Sequence, residues 1–98
     1  MTQREPKQEE FPEPLSDEHV RSFLRCTPEE GVDADFHVLM RAYRSLRVEE
    51  FERFVRFFTE EGRNLQARDP QGRTTADILR GYRRAGPYLE ILEQHGAA

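Results

Sequence analysis

From Leu15 onward the apolar residues recur three and four positions apart, the spacing that lines one face of a helix. The clearest run is Val48 to Glu61, where Phe51, Phe54, Val55 and Phe58 form a stripe that Phe57 widens to nearly half the circumference. Asp35 to Ser45 predicts another helix, with Phe36, Leu39, Met40 and Tyr43 on one face and Arg41 and Arg44 pointing away. Upstream, Val20, Phe23 and Leu24 make only a narrow stripe, so the first helix is short and packs by one edge. Ile78, Leu79 and Tyr82 supply the apolar side of a fourth helix, and Tyr88, Leu89, Ile91 and Leu92 that of a fifth.

Capping and breaking residues fall between these stripes. Ser16 is a good N-cap, followed by Asp17 and Glu18 where the helix dipole favours acids, with Leu15 and Val20 placed as a hydrophobic staple. Thr27-Pro28-Glu29-Glu30 reads as a capping box with proline at the first helical position, predicting a brief helical turn that Gly31 ends. Glu49–Arg53 and Glu52–Arg56 stand four apart in the favourable order, surface pairs worth about 0.2–0.5 kcal/mol each. Gly62 occupies the position of a left-handed helix terminator, and Gly62 to Arg73 is not helical. Within it, Asp69-Pro70-Gln71-Gly72 has the composition of a type I turn. Thr74 then caps a helix, with Asp77 able to reach back to the cap; Gly86-Pro87 starts the last helix and Gly96 ends it.

The pattern predicts an all-α domain of about five short helices, without substantial β-sheet, over residues 15–98. Met1 to Pro14 reads as a disordered tail, because Pro6, Pro12, Pro14 and four glutamates leave Phe11 as its one large apolar side chain. At 98 residues the chain holds one modest core. A net charge of −4 argues against a general nucleic-acid binder, which needs a basic footprint. All basic residues but Lys7 are arginines, a bias that suits carboxylate or phosphate recognition but arises more readily from a GC-rich genome.

The candidate chemistry is sparse. Cys26, the sole cysteine, rules out an intramolecular disulfide and a four-cysteine zinc site. Beside Arg21 and Arg25 it has neighbours that would lower a thiol pKa, although a lone cysteine at a helix end is more often half-buried filler. His19, His37 and His95 are scattered and complete no metalloprotease, redox or nucleophile-elbow motif. No catalytic residue, metal ligand or cofactor is therefore expected, and the chain is expected not to be an enzyme. Met1 to Glu10 holds no apolar run, so neither a secretory signal nor a membrane span is expected, and the default compartment is the cytoplasm.

Glu60-Glu61-Gly62-Arg63-Asn64-Leu65-Gln66-Ala67-Arg68-Asp69, continued by Gln71-Gly72-Arg73-Thr74, resembles the loop of an ankyrin repeat. There a glycine closes one helix, an alternating extended segment comes next, and a Gly-x-Thr turn opens the second helix. Glu93-Gln94-His95-Gly96-Ala97 resembles the same helix ending, and Gly62 and Gly96 stand 34 positions apart against a family period of about 33. Leu65 and Ala67 alternate as the inward residues of the extended arm, and Phe36 to Glu61 takes the place of a preceding, degenerate helix pair. The resemblance covers about residues 35–98, with one good repeat and one poor one. Thr74-Thr75-Ala76-Asp77 departs from the family's Thr-Pro-Leu-His, and the loop Arg83 to Pro87 is displaced. Because ankyrin arrays need at least about three repeats, the N-terminal helices would have to cover the exposed end of the stack. The whole sequence also resembles a family of small gammaproteobacterial proteins, which brings no function with it.

The ankyrin resemblance implies binding of a protein partner through the loop tip and inner helix, here Arg68, Asp69, Gln71, Arg73 and Arg80; the plainer reading gives Asp69 and Gly72 to the turn alone. The expected function is a non-catalytic protein–protein interaction module or adaptor, monomeric and off the membrane. The alternative is a nucleic-acid- or ribosome-associated accessory factor using the surface arginines, among them Arg41, Arg44, Arg47, Arg83 and Arg84. Acidic residues outnumber basic ones 19 to 15 and no aromatic interleaves an exposed basic run, which favours a solvated face over a phosphate or RNA patch.

Overall fold

The computed structural model describes residues 15–97, and the predicted tail Met1 to Pro14 lies outside them. The helices are α1 (Asp17–Ser22, continued by a 3₁₀ turn at Phe23–Arg25), α2 (Ala34–Ser45), α3 (Val48–Glu60), α4 (Thr75–Leu79) and α5 (Gly86–Gln94). Among the described residues there is no strand, only an isolated antiparallel bridge between Arg68 and Thr74.

Local chemistry sets these limits. The Ser16 hydroxyl accepts from the His19 N–H at 3.1 Å, and Thr74 and Asp77 cap each other's N–H groups at 3.0 and 3.1 Å, as the spacing predicts. The helical turn expected at Thr27 to Gly31 does not form. Cys26 to Glu29 has no regular structure, and the chain reverses through Val32 N–H to Glu29 C=O at 3.0 Å, with Gly31 at φ +84°. The segment has no large apolar side chain to bury, so packing does not offset the cost of helix nucleation there. The cap that counts is Asp33, whose carboxylate accepts from the Asp35 and Phe36 N–H groups at 2.8 and 3.2 Å and opens α2.

Contacts between helix ends fix the directions. Arg63, just past α3, bonds Asp35 at the start of α2 at 2.7 Å, so α2 and α3 run antiparallel. Tyr88 at the start of α5 donates to the Leu46 carbonyl at 2.7 Å, and Gln66 beyond α3 donates to the Gly96 carbonyl at 2.9 Å, so α5 runs parallel to α3. α1 also runs with α3, its ends marked by Leu15 N–H to Glu50 and by Arg25 to Glu61, both at 2.9 Å. α4 lies along α2, with Ile78 against Phe36 and Met40 and the Tyr82 ring against Tyr43. α2 and α4 thus form one layer, and α1, α3 and α5 form a second that runs the opposite way.

α3 is the middle helix of its layer and packs against α1, α2 and α5. Its Phe51, Phe54, Val55 and Phe58 are fully buried, together with Val20, Leu39, Leu79 and Leu92 from the other helices. The Glu50 carboxylate is buried too and ties the chain entry to α3, accepting from the N–H groups of Leu15 and Arg47 and from the Arg47 guanidinium. Burial alone would raise its pKa, but the Arg47 side chain and the two N–H groups together hold it below the ordinary value. Arg53, expected to pair with Glu49, instead reaches across to Asp17 and the Leu15 carbonyl. A second, smaller cluster of Val32, Phe36, Met40, Ala67 and Ile78 lies under the loop that joins α3 to α4.

Thr75 breaks the rule that buried polar atoms find partners: its side chain is fully buried and its hydroxyl makes no hydrogen bond. Thr75→Val keeps the shape and removes the unsatisfied group, so it is expected to stabilise the domain by about 1 kcal/mol. In a thermal melt that is a rise of about 4–8 °C. A fall in Tm would show that the hydroxyl has a partner in solution.

Candidate partner-binding surface

The loop between α3 and α4 is a short arm with a tight tip. Gly62 leaves α3 at φ +77°, and Leu65 and Ala67 turn inward, each buried, while Arg68 pairs with Thr74 across the arm. At the tip, Gly72 N–H donates to the Asp69 carbonyl at 2.8 Å, closing the predicted four-residue turn, and Gly72 sits at φ +85°. A side chain there would be strained, so the turn needs its glycine.

The candidate site residues fall into two groups. Asp69 is the hub of the tip: its Oδ1 accepts from Gln71 and Arg73 N–H at 2.9 and 2.8 Å, and its Oδ2 takes the Arg73 guanidinium at 3.0 Å. The Arg73 N–H first, and then its guanidinium, hold the Asp69 carboxyl below its usual range. Arg68 donates to the Gly72 carbonyl at 2.7 Å, and Arg80 bridges Asp77 at 3.0 Å and Glu93 at 3.7 Å, linking α4 to α5. Gln71 stands exposed at the apex. Arg68, Asp69, Arg73 and Arg80 are thus engaged within the fold.

Beside the tip lies an open groove of about 490 Å³. Phe36, Met40 and Ile78 line it as the apolar part, and Asp69 and Arg73 contribute one edge, while Arg68, Gln71 and Arg80 lie outside it. Arg44, Asp77, Gly81 and Tyr82 complete the lining. Sequence reasoning named Asp69 and Arg73 as partner-binding residues and put Phe36, Met40, Ile78 and Tyr82 on apolar helix faces, but it had Arg44 pointing away from them and did not join these residues in one groove. The available signal was the series Phe36, Met40, Arg44 at every fourth residue of α2, a row that continues past the core and ends in a charge. Tyr82, expected to face inward from a fourth helix, is 48% exposed, because α4 ends at Leu79 and leaves it in the loop beyond. It is held there by Tyr43, with ring centroids 6.0 Å apart, and Tyr43 meets Tyr88 edge-on at 5.0 Å.

None of the three histidines lines the groove, and no cluster of metal-ligating side chains occurs among the described residues. No helix of the described residues is long and apolar enough to cross a membrane. No protein-family model matches this chain, and neither does any of the curated proteins or solved structures compared with it.

Proposed function

We propose that this chain is a protein-interaction module, an ankyrin-like adaptor of two stacked helix pairs that acts without catalysis. The observation that carries the reading is the groove, whose floor is the partly buried Ile78 and the edges of the buried Phe36 and Met40, beside an exposed tyrosine and arginine. Tyrosine and arginine around a small apolar centre are the composition of a binding hot spot. The ankyrin-like part is supported by the order of elements, with a glycine-ended helix, a buried extended arm, a tight turn and a Thr-capped helix. α1, on the flank of α3 away from α5, supplies the cover that so short a stack requires.

Position-specific photo-crosslinking in native lysate tests the reading. A photoreactive phenylalanine in place of Tyr82 should yield a discrete protein adduct that survives nuclease treatment. The same residue in place of Arg56, exposed on α3, should yield none. Equal adducts at both positions would remove the groove from the function. Adducts that disappear with nuclease would transfer the function to the arginines and a nucleic acid.

A further inference from the structure

We propose that the groove takes a short peptide segment pairing a large apolar side chain with a carboxylate, and that Arg44 selects the carboxylate. The inference rests on the interaction-module reading and adds the chemistry of the partner. Its starting point is the charge state of the groove wall. Asp69 is neutralised by Arg73 and by turn N–H groups, and Asp77 by Arg80 and the Thr74 cap. Of the charged groups in the wall, Arg44 alone has no partner: it is exposed, it lines the groove, and no carboxylate among the described residues pairs with it. Arg44 is therefore the cation of the wall left for a ligand's carboxylate, although two acids line the groove.

Geometry adds the apolar requirement. Phe36, Met40 and Arg44 succeed one another along one face of α2, so an apolar side chain seated on the first two lies within one or two helical turns of the guanidinium. Tyr82 flanks the same space, about half exposed and with its ring against Tyr43, so it offers an aromatic contact surface beside Ile78. Gly81 keeps the space open. A Cβ added there meets only the Ile78 carbonyl, at the ordinary distance of 3.5 Å, so the backbone at this point of the groove lining has room for a side chain. A carboxylate reaching Arg44 forms a charge-assisted, bidentate pair at the rim of a partly dry surface, which favours an acidic residue over a neutral one of similar size.

The test is selection of random peptides displayed on phage against the full chain, with fluorescence anisotropy of the enriched peptides. The expected consensus is an aromatic or large aliphatic residue with Asp or Glu within four residues of it. Gly81→Leu and Arg44→Glu should each weaken binding by at least about tenfold. Lysine in place of the peptide's acid should restore binding to Arg44→Glu, a rescue that mere damage to the surface would not give. A consensus without an acid, or binding indifferent to Arg44→Glu, overturns the proposed selectivity. Absence of any enriched peptide overturns it as well, and so does concentration-dependent dimerisation abolished by Gly81→Leu, which would make the occupant a second copy of the chain. In each case the Tyr82 crosslink decides separately whether the groove binds protein at all.

Discussion

Phe54→Ala and Phe58→Ala are each expected to destabilise the domain by about 3–5 kcal/mol, the largest effect of any single substitution considered. Both rings are fully buried and meet with centroids 6.0 Å apart, and Phe54 also meets Phe51 at 6.3 Å. Removing either ring leaves a cavity beside the helix that α1, α2 and α5 all pack against. A small domain is stable by only about 5–15 kcal/mol, and either change therefore removes a large part of the total. Urea titration monitored by circular dichroism should show the midpoint fall with the slope unchanged. A loss below about 1 kcal/mol for both variants would mean that α3 is peripheral in solution.

Arg63→Ala should cost about 1.5–3 kcal/mol, the range for hydrogen bonds to charged groups. This guanidinium joins three segments: it bonds Asp35 at the start of α2 and the Leu24 carbonyl in the 3₁₀ turn, both at 2.7 Å, and it lies over the Phe58 ring at 5.6 Å. The value stays below that of a fully buried pair because Arg63 and Asp35 keep side-chain exposures of 18% and 24%, which lets water screen the charges. Arg63→Lys should recover little, since an ammonium cannot span both acceptors in the plane that the guanidinium fork does. The Asp35 carboxylate also accepts from the Asn64 N–H at 2.8 Å, so amide exchange at Asn64 should rise in the alanine variant. Unchanged stability together with unchanged exchange at Asn64 would show that the bonds are not made in solution.

The helices were legible wherever a stripe of large apolar residues coincided with a cap. Phe51 to Phe58 and the Thr74–Asp77 pair are found as expected, because burial and capping depend on residues three and four apart. The tip was legible for the same reason, its Asp, Pro and Gly each having a local role in the turn. Thr27 to Gly31 misleads because its capping pattern is local, while the reversal into α2 is set further along the chain, by the Asp33 cap. A parallel with the second turn was available: Gly31 stands two residues before the Asp33 cap, as Gly72 stands two residues before Thr74. The groove was not legible. Phe36 and Met40 look like any core positions in α2, and whether their row ends under a helix or in the open depends on where α4 stops.

The placement of α3 between α1 and α5 also decides how the domain melts. In a long array of repeats, terminal units detach one by one and stability is a sum over neighbours. Here the outermost helices on both flanks pack against α3 and belong to one buried cluster with its phenylalanines, so the loss of either exposes part of that cluster. Amide protons in α1, α3 and α5 are therefore expected to exchange through a common opening rather than along a gradient from either end. Calorimetric and van't Hoff enthalpies should then agree. Deleting α1 or α5 is then expected to unfold the rest of the second layer along with it.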